Sequence, residues 1–172
     1  MTFSTAGSAE LAYLLLGSNL GDRAAYLTGA RLRLAATAGN ILAASGMYQT
    51  AAWGRHDQPA FLNQALALRP FGGAEELLAA CLATEQAAGR QRQERWGSRT
   101  LDVDILFYGA QVHISPALIV PHPRLAERRF ALVPLAELAP QLVHPLLQRS
   151  VAQLLADCPD SLPVQLWPAL PG

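Results

Sequence analysis

Six consecutive apolar residues, positions 11–16, end abruptly at Gly17. A run of that length is too short for a helix of its own, and its composition fits a buried strand. The loop GSNLGDR follows, and then Leu27, Ala30, Leu34 and Ala38 recur at helical spacing across residues 24–38. Asp22 near the start of that segment and Gly39 after it stand where an N-cap and a C-terminal glycine belong. Residues 41–50 and 61–68 read as two more strands, joined by AAWGRHDQPA, which is too long and irregular for a tight hairpin. A second helix is expected over residues 74–88, with Glu75 and Glu76 favouring its N-terminus and Gly89 closing it, and a fourth strand over 101–108. The order β-α-β-β-α-β predicts an α+β fold, the ferredoxin-like sandwich.

Beyond Gly109, a short segment around Val112 is expected to add an edge strand. Residues 125–138 and 151–156 supply additional C-terminal helices, the first broken at Pro134. Residues 159–172 are a Pro-rich tail without periodicity. With no internal repeat and no linker, residues 1–172 are expected to form one domain, long enough to bury a core without disulfides or metal staples.

The thirteen basic residues are all Arg and balance thirteen acidic ones, which argues against a basic face for nucleic acid. Cys81 and Cys158 have no Cys or His partner at zinc spacing and read as buried free thiols. No basic segment precedes the run at 11–16, and the uncharged stretch 34–54 is interrupted by Gly39, Asn40, Ser45, Gly46 and Gln49. Neither a signal peptide nor a membrane helix is read, and the cytoplasm is the expected location.

The densest chemistry lies in RWGSRTLDVDILFYG, residues 95–109. On a strand, Asp102 and Asp104 project to one side while Leu101, Val103, Ile105 and Phe107 face the core. Two adjacent carboxylates repel unless a divalent cation sits between or beside them, and Mg²⁺ suits a site with few carboxylates, water and phosphate oxygens. An isolated D-x-D is more often a solvated strand face. Arg90, Arg92, Arg95 and Arg99 just upstream change that balance, because guanidinium groups clamp phosphate oxygens in pairs. With no Lys in the chain, a G-x-x-x-x-G-K-[ST] loop is excluded, and no G-x-G-x-x-G is present. Phosphates would have to be held by arginine and metal.

Two other stretches add to this. In YQTAAWGRHDQPAFLN, residues 48–63, Phe61 and Asn63 share a strand face and offer an aromatic plane beside an amide, a pair suited to a flat, hydrogen-bonding heterocycle. By itself such a pair is ordinary. In VPHPRLAERRF, residues 120–130, His122 is held between prolines ahead of Arg124, Arg128, Arg129 and Phe130.

Together with LGSNLGDR and the G-R-x-R ahead of RWG-x-R-T-x-D-x-D-I, these stretches resemble the 6-hydroxymethyl-7,8-dihydropterin pyrophosphokinases of folate biosynthesis, in order and spacing along nearly the whole chain. The resemblance implies transfer of pyrophosphate from ATP to the pterin hydroxymethyl group, giving AMP and the pterin diphosphate. It assigns two Mg²⁺ ions to Asp102 and Asp104, which with Arg92 and Arg99 form the catalytic set. It places Glu85, Arg92, Arg99, Ile105, His122 and Arg128 at ATP. Thr50, Ala51, Trp53, Phe61, Asn63, Trp96, Asp102 and Phe130 would form the pterin pocket, with the ring stacked between Phe61 and Phe130. The implied partners are these two small molecules, with no nucleic acid and no membrane, and a monomer is expected.

Several positions depart from the family's common pattern. Arg92 sits one residue closer to Trp96 than in many relatives, and Trp53 replaces a smaller apolar residue. Ala51 and Ala52 replace frequent prolines, Ser98 replaces the Pro before Arg99, and Leu82 falls where some members have Gln near ATP. None of these removes a metal ligand. Two alternatives make different predictions: a non-catalytic ferredoxin-like module would bind ligand without forming AMP, and a kinase moving only the γ-phosphate would form ADP. A ferredoxin-like RNA-binding domain would need stacking aromatics in an RNA motif and a basic surface, which are missing.

Overall fold

The computed structural model describes residues 10–52, 57–90 and 98–168. Its first strand, β1 (Ala12–Ser18), is buried along its whole length. Alternation sends Ala12, Leu14 and Leu16 into one core and Tyr13 and Leu15 into another, so the sheet must be covered on both faces. On the first face lie α1 (Arg23–Thr37) and α2 (Ala74–Ala87), which bury Leu27, Ala30, Leu34, Leu77 and Cys81. Asp22 caps α1 as expected, accepting the Ala25 N–H at 3.0 Å. Gly39 does not close that helix: it opens the next strand, where a Cβ would come within 2.3 Å of the Arg69 carbonyl oxygen. Close strand approach is what requires glycine there.

The strand expected at 41–50 is two strands, β2 (Gly39–Ala44) and β3 (Tyr48–Thr50), both antiparallel to the long β4 (Phe61–Pro70). Ser45 occupies the bend between them. Its N–H donates to the Ala65 carbonyl at 2.9 Å, its hydroxyl oxygen accepts the Ala65 N–H at 2.9 Å, and its carbonyl accepts from Gln64 Nε2 at 2.7 Å. A buried bend persists only when its backbone groups are paired, and this side chain pairs them.

The strand β5 (Asp102–Tyr108) pairs antiparallel with β1, which gives the order β5-β1-β4-β3 with β2 also on β4. This is the ferredoxin-like arrangement. A register shift opposite Tyr13 and Leu14 places an extra residue in β5. Val103 and Ile105 therefore join the α1–α2 core, whereas Leu106 and Phe107 both join the other. Phe107 does not continue the face of Leu101, Val103 and Ile105, as simple alternation predicted.

The second face is covered by α3 (Arg129–Leu138) and α4 (Val151–Ala156), through Leu132, Leu135, Val151 and Leu154. Pro134 lies inside α3 and does not break it; the interruption falls at Arg128, extended backbone between a 3₁₀ turn (Leu125–Glu127) and the helix. A proline in mid-helix costs about 3 kcal/mol, and burial of side chains such as Leu132 and Leu135 at roughly 1.5–3 kcal/mol each outweighs it. Val112 joins no strand. Its neighbours β6 (His113–Ile114) and β7 (Ile119–Val120) form a separate ribbon. In the tail, β8 (Gln165–Leu166) extends the sheet against β3, and Trp167 packs on the first core. Both cysteines are free thiols, Cys81 buried and Cys158 only half-buried just beyond α4. Among the described residues no helix is long and apolar enough to cross a membrane.

Candidate active site

One cavity of about 630 Å³ opens at an end of the sheet on the α3 side. Strand parity explains what lines it. Gly17 shares a face with Tyr13 and Leu15, Phe61 and Asn63 with Ala67, and Asp102 and Asp104 with Leu106, and the apolar members of each set pack under α3 and α4. Thr50 stands opposite Phe61 across β3 and β4 and so joins the same wall. Arg128 and Phe130, at the start of α3, complete it from above.

At one end the site is charged. Glu85, buried in the last turn of α2, accepts the Val103 N–H at 2.9 Å and Arg90 Nη1 at 2.8 Å. The same Arg90 nitrogen lies 2.5 Å from one Asp102 oxygen, and Arg99 Nη1 lies 3.1 Å from the other. Asp102 is thus held between two guanidinium groups. The Asp104 carboxyl opens onto the cavity, yet burial, and then the charge of Asp102, push its pKa up to about 8 against the pull of Arg128 and Arg99. Two carboxylates alternate on one strand face, and burial and the first carboxylate together outweigh the arginines around the second. That donor set fits a divalent cation bound by few protein ligands; no group of three or more His, Cys, Asp or Glu side chains forms a complete cage among the described residues.

His122 borders the same end. Burial, then Arg128, lower its pKa to about 4, so the ring is neutral at ordinary pH. Its Nδ1 accepts the Arg124 N–H at 3.2 Å, which leaves the ring proton on Nε2. Nε2 lies 3.5 Å from Arg128 Nη1, so two donors converge where an anionic oxygen could accept from both.

The other end suits a flat heterocycle. Asn63 is 3% exposed, and its Oδ1 is buried without a hydrogen-bond partner. An unpaired amide oxygen at a cavity wall is costly and asks for a donor from a ligand. The Arg99 guanidinium lies 5.4 Å from the centre of the Phe61 ring, and that of Arg128 lies 5.7 Å from the Phe130 ring. One face of each ring is therefore covered by arginine in this structure.

The residues expected from the sequence distribute unevenly. Thr50, Ala51, Phe61, Asn63, Glu85, Arg99, Asp102, Asp104, His122, Arg128 and Phe130 all line the cavity. Ile105 does not: it alternates with Asp104, and its side chain lies in the α1–α2 core. Trp53, Arg92 and Trp96 lie outside the described residues.

Four contributors had no sequence signal of their role. At Gly17 a Cβ would press on Asn63 Nδ2 at 3.3 Å and Phe61 at 3.7 Å, so its lack of a side chain keeps the slot open. Asn19, 1% exposed, joins both ends of the site. Its Oδ1 accepts the Arg99 N–H at 2.8 Å, its own N–H donates to the Arg99 carbonyl at 3.1 Å, and its Nδ2 donates to the Pro59 carbonyl at 3.2 Å. Pro116 and Ala117, in the β6–β7 turn, add an apolar wall from a part of the chain that carries no motif.

Comparison with known proteins bears on the fold and the family. A crystal structure of wild-type Plasmodium falciparum HPPK-DHPS with pterin and p-hydroxybenzoate superposes with a TM-score of 0.64 at 16% identity, over 89% of this chain and 44% of that one. At that identity the likeness speaks for the fold, and this chain spans less than half the length of that protein. Two proteins named 2-amino-4-hydroxy-6-hydroxymethyldihydropteridine pyrophosphokinase are nearer in sequence. The one from Methylorubrum extorquens is 52% identical over 77% of this chain and 84% of its own length. The one from Synechocystis sp. is 41% identical over 91% of this chain and 79% of its own length. The profile of the family described as 7,8-dihydro-6-hydroxymethylpterin-pyrophosphokinase matches residues 13–140. The chain belongs to that family.

Proposed function

We propose that this chain transfers the pyrophosphoryl group of ATP to the hydroxymethyl oxygen of 6-hydroxymethyl-7,8-dihydropterin in folate biosynthesis, releasing AMP. One observation carries the reading beyond family membership: a single cavity joins a phosphate-type end, with Asp102, Asp104, Arg99 and Arg128, to a heterocycle-type end, with Phe61, Phe130 and the unpaired Oδ1 of Asn63.

The reaction asks for positioning and charge neutralisation more than covalent help. The hydroxyl oxygen bonds to the β-phosphorus, the bond from that phosphorus to the α,β-bridging oxygen breaks, AMP leaves and the hydroxyl proton is released. Phe61 and Phe130 would stack the pterin and Asn63 would read its edge, with Thr50, Ala51, Trp53 and Trp96 closing the pocket. Arg92, Arg99 and Arg128 would hold the phosphates, neutral His122 would donate through Nε2–H, and Glu85 would border the nucleotide. Asp102 and Asp104 would hold two Mg²⁺ ions, which supply charge neutralisation of the phosphates and acidify the attacking hydroxyl. No separate general base is assigned. The acting unit is proposed to be one chain in one domain, with both ends of the cavity built from it, working as a cytoplasmic monomer.

Incubation with MgATP and the hydroxymethyl dihydropterin tests the proposal through the nucleotide formed. AMP is expected in step with pterin diphosphate. ADP, or binding of both substrates without a nucleotide product, would overturn it.

A further inference from the structure

The helix α3 is fastened to the sheet at a second point, away from the site. Glu137 lies seven residues after Phe130, so the two side chains leave the same side of the helix two turns, about 10 Å, apart. Its carboxylate accepts the Tyr48 hydroxyl at 2.5 Å and the Gly46 N–H at 3.1 and 3.3 Å. Tyr48 stands directly opposite Asn63, as Thr50 stands opposite Phe61, so these four share the sheet face that α3 covers. At Gly46 a Cβ would lie 2.7 Å from Leu166 Cδ1, the end of an exposed side chain, and 3.8 Å from Glu137 Oε2, so the backbone there runs close to both. The contact therefore ties the C-terminal half of α3 to β3, which is paired with the β4 strand that carries Phe61 and Asn63, while Phe130, at the other end of the helix, forms the facing wall.

We infer that Glu137 is a positioning residue for the pterin, setting through Tyr48 and Gly46 the gap between Phe130 and the wall of Phe61 and Asn63. The inference rests on the pterin slot proposed above. A ring stacked on both faces gains its attraction over a narrow distance, and a gap of only about 0.5–1 Å forfeits roughly a quarter to a half of it. The helix packs on the sheet through Leu132 and Leu135, between Phe130 and Glu137. Without the clamp at Glu137, α3 can rock about those residues and shift Phe130 by that amount. Of the phosphate-end residues only Arg128 starts α3, and its Coulomb attraction falls off more gently with distance than ring stacking does; Asp102, Asp104 and Arg99 rest on β5 and the segment before it, on the far side of β1 and β4 from Tyr48.

The test compares the unaltered chain with Glu137→Ala, Glu137→Gln, Tyr48→Phe and the Tyr48→Phe/Glu137→Ala pair. AMP formation is measured with pterin and ATP varied separately. Glu137→Ala should raise the KM for pterin about tenfold and change the KM for ATP less than threefold. Glu137→Gln can accept from Gly46 and donate to the Tyr48 oxygen, and should restore most of the affinity. Tyr48→Phe removes only a hydroxyl and should show the same split to a smaller degree, and the double variant should match Glu137→Ala because the two side chains act through one contact. Equal rises in both KM values, a Gln variant as impaired as Ala, or unchanged pterin KM in Glu137→Ala would overturn the inference. Absence of AMP from the unaltered chain would instead overturn the function on which it rests.

Discussion

Replacing Asn63 by Leu separates binding from folding, because the two effects have different origins. The side chain is 3% exposed, and its Oδ1 has no hydrogen-bond partner. In the ligand-free protein, Leu fills nearly the same volume and removes a buried acceptor whose isolation costs about 1–3 kcal/mol. Loss of the amide's donor offsets part of that gain. Net stability should therefore move by no more than about 1 kcal/mol, or roughly 2–4 °C in Tm. Pterin binding should suffer the opposite way. The polar edge of the heterocycle would be buried against a methyl group, and the same penalty of about 1–3 kcal/mol corresponds to roughly a tenfold to hundredfold rise in Kd. Equilibrium titrations with pterin and with a non-hydrolysable ATP analogue, beside thermal unfolding, measure all three quantities. The reasoning is refuted if both affinities fall together, or if Tm drops by many degrees, since either result would make Asn63 a support of the fold.

Phe61→Ala should weaken pterin binding about tenfold to a hundredfold, from one lost stacking partner at about 1–3 kcal/mol, while the ATP analogue loses no more than about fivefold through the Arg99 contact with the ring; an equal loss for both ligands would count against the sandwich. In metal-free buffer, the pKa of Asp104 near 8, raised by burial and then by Asp102, keeps in the folded state a proton that the unfolded chain releases above about pH 4. That contribution to stability is whole below pH 4 and is lost as pH climbs through about 8, so urea midpoints should fall over this window, and Asp104→Asn should flatten the fall and abolish AMP formation. An undiminished slope in the variant would show that another group is responsible. Ser45→Ala strands the buried Ala65 N–H and should destabilise by about 1–3 kcal/mol, lowering Tm by several degrees. An unchanged Tm would mean that the bend between β2 and β3 does not depend on the hydroxyl.

The sequence by itself determined the elements whose cause is local. Periodicity placed both first helices and the strands β1, β4 and β5 close to where they lie, Asp22 marked a helix start, and the two-residue spacing put Asp102 with Asp104 and Phe61 with Asn63. The motifs resembling a known family named the chemistry that those faces now frame. What depended on distant partners was not legible. Phe107 changes faces because its register is set against Tyr13 and Leu14; Pro134 stays helical because α3 is buried against the sheet; Gln165 and Leu166 become a strand only because β3 offers them an edge. The same holds within the site. Gly17 and Asn19 read as a strand end and a loop, and Glu137 carried no signal of its own within an expected helix, until the tertiary structure brought each against residues 40 or more positions away. Local propensity is written residue by residue, whereas these roles arise from packing, where one side chain's meaning is set by whatever the fold places against it.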